Sequence, residues 1–130
     1  MIFDSNQLIN IVRKNLEALS RLIIPIVVVG ELQAFALKSD WGIQKVARMS
    51  SLFDTYPIAD ITLPIVHLYA QVDAFSQGKL VAKPLNTSAR NMGKNDIWIA
   101  ATALYLDMEL HTSDNDFDHL TALGLRLVKY

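Results

Sequence analysis

Short apolar runs alternate along this chain with stretches of helical period, and that alternation restricts the fold more than any other feature of its 130 residues. Ile2 and Phe3 form a short strand, Asp4-Ser5-Asn6 a polar turn, and Leu8, Ile9, Ile11, Val12 and Leu16 then recur at helical spacing. Leu22-Ile23-Ile24 reads as a buried strand ending at Pro25, after which Val28, Leu32 and Phe35 share one helical face. Ile26 to Val29 is β-branched and leaves that boundary open, because it equally suits an extended strand. Trp41-Gly42 opens a third helix with a predicted apolar stripe of Ile43, Val46, Ala47, Ser50 and Phe53, and Tyr56-Pro57 stops it. Ile58 to Ile61 is a strand candidate. Thr62 then caps a packing helix that carries Ile65, Leu68, Tyr69, Val72 and Phe75 and closes at Gly78.

Lys79 to Met92 has no periodicity and contains Pro84, Asn86, Thr87 and Ser88, so it is expected to be loop, and irregular loops of that length are disproportionately functional. Asn95 is the expected N-cap of the next helix, whose stripe is Ile97, Ala100, Ala101, Leu104 and Met108. Glu109 to Thr112 is a strand, Thr112 to Phe117 a dense turn, Asp118 to Leu123 a short helix and Arg126 to Lys129 a last strand. Such βα alternation favours a three-layer α/β/α domain with a central, mainly parallel sheet, in which ligands gather beyond the carboxyl ends of the strands.

Composition supports one domain over residues 1–130. With 52% apolar and 19% charged residues the chain can close a core, and no stretch has the bias of a linker or disordered tail. The net charge of −1 gives no global footprint of a dedicated nucleic-acid binder, so any nucleic acid must be met by a local patch. There is no cysteine, hence no disulfide or thiol chemistry. The apolar run Leu22 to Gly30 is too short to span a bilayer, and Met1 to Asp4 lacks a signal-peptide pattern, so a cytoplasmic protein is expected. His67, His111 and His119 lack zinc-ligand spacing and are expected at the surface or the edge of the core.

Four acids stand where a parallel sheet would gather them. Asp4 follows the first strand, Glu31 lies just beyond the second on a stripe with Val27 and Ala34 that points to a cleft edge, Asp96 begins a helix, and Asp114 follows the penultimate strand. Each has an ordinary local use as a turn or helix-start residue. Together, carboxylates packed at one site repel and raise one another's pKa unless a cation neutralises them. Magnesium or manganese is the natural partner: such ions take carboxylate and water oxygens and activate water toward phosphorus. The chemistry that follows is phosphodiester hydrolysis. Arg90 and Lys94, with Lys83 nearby, could hold phosphates or simply form a solvated basic loop, Asn6 could orient a carboxylate, and Thr112 or Ser113 could position water or phosphate.

Phe3-Asp4-Ser5-Asn6, Gly30-Glu31-Leu32, Asn95 to Ala101 and Thr112 to Phe117 occur in an order and spacing that resembles the PIN-domain ribonucleases, in particular the VapC toxins of toxin–antitoxin pairs. The resemblance covers essentially the whole chain. It implies that Asp4, Glu31, Asp96 and Asp114 are the catalytic, metal-binding acids, with Asp116 as an auxiliary ligand. Ser5 stands where the family more often has threonine, and keeps the hydroxyl. The resemblance further implies Mg2+- or Mn2+-dependent cleavage of unpaired RNA leaving a 5′ phosphate and a 3′ hydroxyl, by metal-activated water without a covalent intermediate. It also implies a homodimer, and an antitoxin whose C-terminal segment blocks the pocket. Trp41, Tyr56 and Trp98 are aromatic candidates for a protein interface, with core packing the competing reading. A haloacid-dehalogenase-like phosphatase would need a second aspartate where this chain has Asn6, and a receiver domain would pair acids after its first strand. A noncatalytic PIN-like binding module and a housekeeping RNA-processing nuclease are the alternatives to a toxin.

Overall fold

Every strand pairing is parallel. The computed structural model describes residues 1–17 and 21–130. In chain order these form β1 (Ile2–Phe3), α1 (Ser5–Lys14), β2 (Ile24–Pro25), α2 (Ile26–Lys38), α3 (Ile43–Thr55), β3 (Ile58–Ala59), α4 (Leu63–Ser76), α5 (Lys94–Leu106), β4 (Leu110–Thr112), a 3-10 helix (Asn115–Leu123) and β5 (Leu127–Lys129). β4 lies between β1 and β5, with Phe3 beside His111 and Thr112 beside Lys129, while β2 pairs with β3. The Ile23 N–H donates to the Met1 carbonyl at 2.9 Å and joins the two sheets, giving the spatial order β3-β2-β1-β4-β5. The strand order reverses between β1 and β4. In an open parallel sheet the crevice at that reversal is where ligands sit.

The chain folds this way for local reasons. Asp4 ends β1 and caps α1, its carboxylate accepting the Gln7 N–H at 3.0 Å. Asn15, with φ of 51°, closes α1 in a left-handed cap that asparagine tolerates, and Arg13 and Lys14 face the negative end of the helix dipole. The β-branched run Ile26 to Val29 is helical and does not extend β2. Pro25 has no N–H to continue a ladder, and Val28, Leu32 and Ala36 bury against the core, which outweighs the weak propensity of the β-branched residues. Gly78, with φ of +71°, closes α4 as expected.

The middle of α5 is enclosed on all sides: Ile97, Ile99, Ala100, Ala101, Thr102 and Ala103 are all buried. Thr102 satisfies its hydroxyl on the Trp98 carbonyl at 2.8 Å. Small alanines let α4 and α2 approach closely, so the helix that carries Asp96 is firmly seated in the fold. No helix among the described residues is long and apolar enough to cross a membrane.

Several expectations need correction. The N-cap of α5 is Gly93, with Asn95 two residues inside the helix. Leu16 lies past the end of α1 and is exposed. On α3 the packed face carries Met49 and Leu52, with Phe53 of the expected stripe beside them and Arg48 bonded to the Val12 carbonyl at 2.9 Å, while Ile43 is 90% exposed. Trp41 and Trp98 pack on Phe35 and Tyr69, with ring centroids 5.6 and 4.0 Å apart, and Tyr56 is half-buried. Among the described residues the most exposed large apolar side chains are instead Leu37, Ile43, Leu63 and Val81. Of the histidines, His111 is buried against Phe3 and bonded to the Tyr130 hydroxyl at 2.7 Å, and His119 is half-buried. His67 is exposed, as expected.

Ala100 has no exposed surface, and a larger side chain there must displace its neighbours. Ala100→Leu is expected to lose ~1–3 kcal/mol by overpacking. Urea unfolding should show a lower midpoint with an unchanged slope.

Candidate active site

Asp96, Asp114 and Asp116 each offer a carboxylate oxygen, and the three oxygens lie within 4.8 Å of one another. They come from two elements. Asp96 occupies the first turn of α5, where the helix dipole favours an acid. Asp114 caps the 3-10 helix, accepting the Asp116 N–H at 2.9 Å, and this local turn folds the two acids toward each other.

Asp4 and Glu31 stand beside this group with other bonds to satisfy. Asp4 is buried; one oxygen caps α1 and the other accepts the Thr112 hydroxyl. The same Thr112 oxygen accepts the Asp114 N–H at 2.9 Å, so one hydroxyl on β4 fixes Asp4 and Asp114 together. Glu31 accepts the Ser5 hydroxyl at 2.6 Å, and Gln7 reaches Ser113 Oγ at 3.4 Å.

The electrostatics mark Asp96. Its pKa is raised to about 6, first by burial and then by the negative charges of Asp114, Glu31, Asp4 and Asp116. The other four acids singled out in the sequence thus all act on Asp96. Asp116, expected as an auxiliary, belongs to the closest trio, while Asp4 and Glu31 lie outside it. A cluster of hard, anionic oxygens in which burial and then mutual repulsion already favour a proton on one member suits a hard divalent cation. Asp96, Asp114 and Asp116 would hold it, with Asp4 and Glu31 adding charge beside it.

Two clefts meet these acids. A groove of about 520 Å³ between α1 and α2 is lined by Ser5, Asn6, Val27, Glu31, Phe35 and Asn95, so Glu31 lies at a cleft edge as its stripe predicts. A smaller cleft of about 200 Å³ brings Arg90 beside Asp116. Arg90 also donates to the Asn115 carbonyl at 3.4 Å, and Lys94 and Lys83 are exposed. Asn6 is exposed on the groove and bonds to no carboxylate among the described residues. Thr112, expected to meet water or phosphate, has no exposed surface, and its hydroxyl is committed to Asp4 and Asp114.

Other participants escaped sequence reasoning. Lys129 crosses from β5 to the Asp114 carbonyl at 2.8 Å. His119 ties the 3-10 helix to α4 through Ser76 Oγ at 2.7 Å, while burial and then the charge of Arg90 push its pKa down and favour the neutral ring. Neither has a spacing signal. Only the alternation of β5, which puts Lys129 level with Thr112, could have drawn attention to the lysine.

The acidic cluster lies at the reversal point of a parallel α/β sheet, the place where open sheets of this class hold their ligands. The chain belongs to the PIN-domain family, whose profile matches residues 1–123 and whose members are generally nucleases. Solved structures share the fold. VapBC2 from Rickettsia felis, bound to a promoter DNA fragment, aligns with a TM-score of 0.73 at 21% identity over 100% of this chain and 99% of that one. VapBC-5 from Mycobacterium tuberculosis gives 0.71 at 21% identity over 99% and 97% of the chains. VapBC-1 from nontypeable Haemophilus influenzae gives 0.69 at 22% over 99% and 98%. No curated protein sequence matches the chain.

The raised pKa has a stability consequence with a definite sign. Between the ordinary value of 3.8 and about 6 the folded chain binds more protons at Asp96 than the unfolded chain does. Stability of the metal-free protein therefore falls as pH rises through that window, and the penalty is full above it. Asp96→Asn should raise the melting temperature in chelator at pH 7.5, and the gain should vanish below pH 3.8. Thermal unfolding at both pH values checks this.

Proposed function

We propose that this chain is a Mg2+- or Mn2+-dependent endoribonuclease that acts in the cytoplasm as the toxin of a toxin–antitoxin pair. The observation that carries the reading is the trio Asp96, Asp114 and Asp116, whose oxygens approach within 4.8 Å while Asp96 is pushed toward its protonated form. The bound ion would supply Lewis-acid stabilisation of charge at phosphorus and lower the pKa of a water. The chain's own residues do the rest. Asp96, Asp114 and Asp116 bind the ion, and Asp4 and Glu31 increase the negative field that attracts it. Arg90, beside Asp116, meets a phosphate of the RNA. Lys94 and Ser113 lie at the exposed rim, with Asn6 on the α1–α2 groove, to contact the strand on either side. Thr112 contributes from behind by holding Asp4 and Asp114 in register.

Support for the toxin assignment is the fold shared with VapBC toxin–antitoxin structures over nearly the full length of the chain. Exposed Leu37, Ile43, Leu63 and Val66 offer apolar surface for a second copy and for an antitoxin. Light scattering should give dimer mass at micromolar concentrations; monomer mass throughout would remove the homodimer from this reading.

Wild type with Mn2+ should cut unpaired regions in a pool of transfer and ribosomal RNA and leave double-stranded DNA largely intact. Chelator should stop it. Asp96→Asn should lose at least about 100-fold of the rate, since it removes a ligand of the cation. Lys94→Ala should weaken binding and flatten its salt dependence. Cleavage that survives chelator or Asp96→Asn would point to another mechanism. No cleavage of any RNA would favour a noncatalytic binding module, and cleavage without growth inhibition on expression would favour an RNA-processing enzyme.

A further inference from the structure

Lys129 has all three of its N–H donors committed. Nζ lies 2.8 Å from the Asp114 carbonyl, 2.9 Å from Asn115 Oδ1 and 2.8 Å from Asp118 Oδ1. An ammonium carries three donors and no acceptor, so a lysine bonded in this way has nothing left to offer a phosphate. Its acceptors bracket the turn that leads from β4 into the 3-10 helix. The parallel register sets Lys129 beside Thr112, two residues before Asp114, so the side chain needs only to cross one strand to reach them.

Asp114 is thereby held from both sides of its backbone. Its N–H donates to Thr112 Oγ1 at 2.9 Å and its carbonyl accepts from Lys129, while one carboxylate oxygen accepts the Asp116 N–H. With these three points fixed, Asp114 and Asp116 each present a carboxylate oxygen within 4.8 Å of one from Asp96. We propose that Lys129 is a positioning residue of the acidic site, clamping the Asp114–Asn115 turn so that Asp114 and Asp116 converge with Asp96 on one divalent cation. The proposal rests on the metal-site reading given above.

Charge and geometry predict opposite outcomes for removing this lysine. A cation near a cluster of carboxylates weakens binding of another cation, so if Lys129 acted by charge alone its loss would tighten Mn2+. If it acts as a clamp, its loss loosens the turn and weakens Mn2+. Calorimetric titration of the full chain with Mn2+ should therefore show Lys129→Met binding about tenfold more weakly than wild type, the size of one lost hydrogen bond to a charged group. Lys129→Gln keeps an N–H for the Asp114 carbonyl and should fall between them. Asp118→Asn removes the ion pair and leaves the carbonyl clamp, so it should stay within about twofold of wild type.

Amide exchange at Asp116 in chelator reads the same turn with no ion present, and should be about tenfold faster in Lys129→Met. Mn2+ affinity equal to or tighter than wild type in Lys129→Met, a loss in Asp118→Asn as large as in Lys129→Met, or unchanged exchange at Asp116 would each overturn the proposal. Wild type that binds no Mn2+ while Asp116 exchange still responds to Lys129→Met would instead remove the metal-site reading, leaving Lys129 as a clamp on the turn alone.

Discussion

The carboxylate of Asp4 joins parts of the chain that otherwise have little reason to meet. One oxygen caps α1, and the other accepts the hydroxyl of Thr112, a residue 108 positions away on β4. That hydroxyl in turn receives the N–H of Asp114. A single buried carboxylate therefore fixes where α1 starts, how β1 and β4 align, and where the turn after β4 departs. Leaving any of these groups buried without its partner would cost ~1–3 kcal/mol each, so the arrangement is closely determined.

The ionised form of Asp96 opposes the folded state, because burial and then the neighbouring charges disfavour it. Asp96 sits on the firmly packed α5 and cannot retreat from its neighbours, and Asp114 is held at its N–H, its carbonyl and its carboxylate. Burial, and then repulsion from the acids beside it, therefore appear as a raised pKa on Asp96.

Much of this was legible in one dimension. Strand and helix alternation gave the layer order, and the acids fell after strands or at helix starts, which a parallel sheet brings to one edge. What was hidden depended on which side of an element faces inward. The stripe assigned to α3 holds at Phe53 and fails at Ile43, which is exposed, while Arg48, a polar residue, is bonded to the Val12 carbonyl. Asn95 has the right chemistry for an N-cap, yet the chain turns at Gly93 and buries Ile97 and Ile99, so packing overrode the capping preference. Thr112 looks like a substrate residue in a dense polar turn, and only the three-dimensional register shows it behind Asp4. Lys129 and His119 act across elements, and no local spacing records such contacts.

The strand order also bears on when the site can exist. β4 is flanked by β1 and β5, so the turn bearing Asp114 and Asp116 is anchored by Phe3 and Asp4 on one side and by Lys129 on the other. Contacts of such long sequence separation form late, after local helices. During synthesis α5 and its Asp96 emerge before β5, so the pairing that flanks β4 on its second side forms only after residues 127–129 have been made.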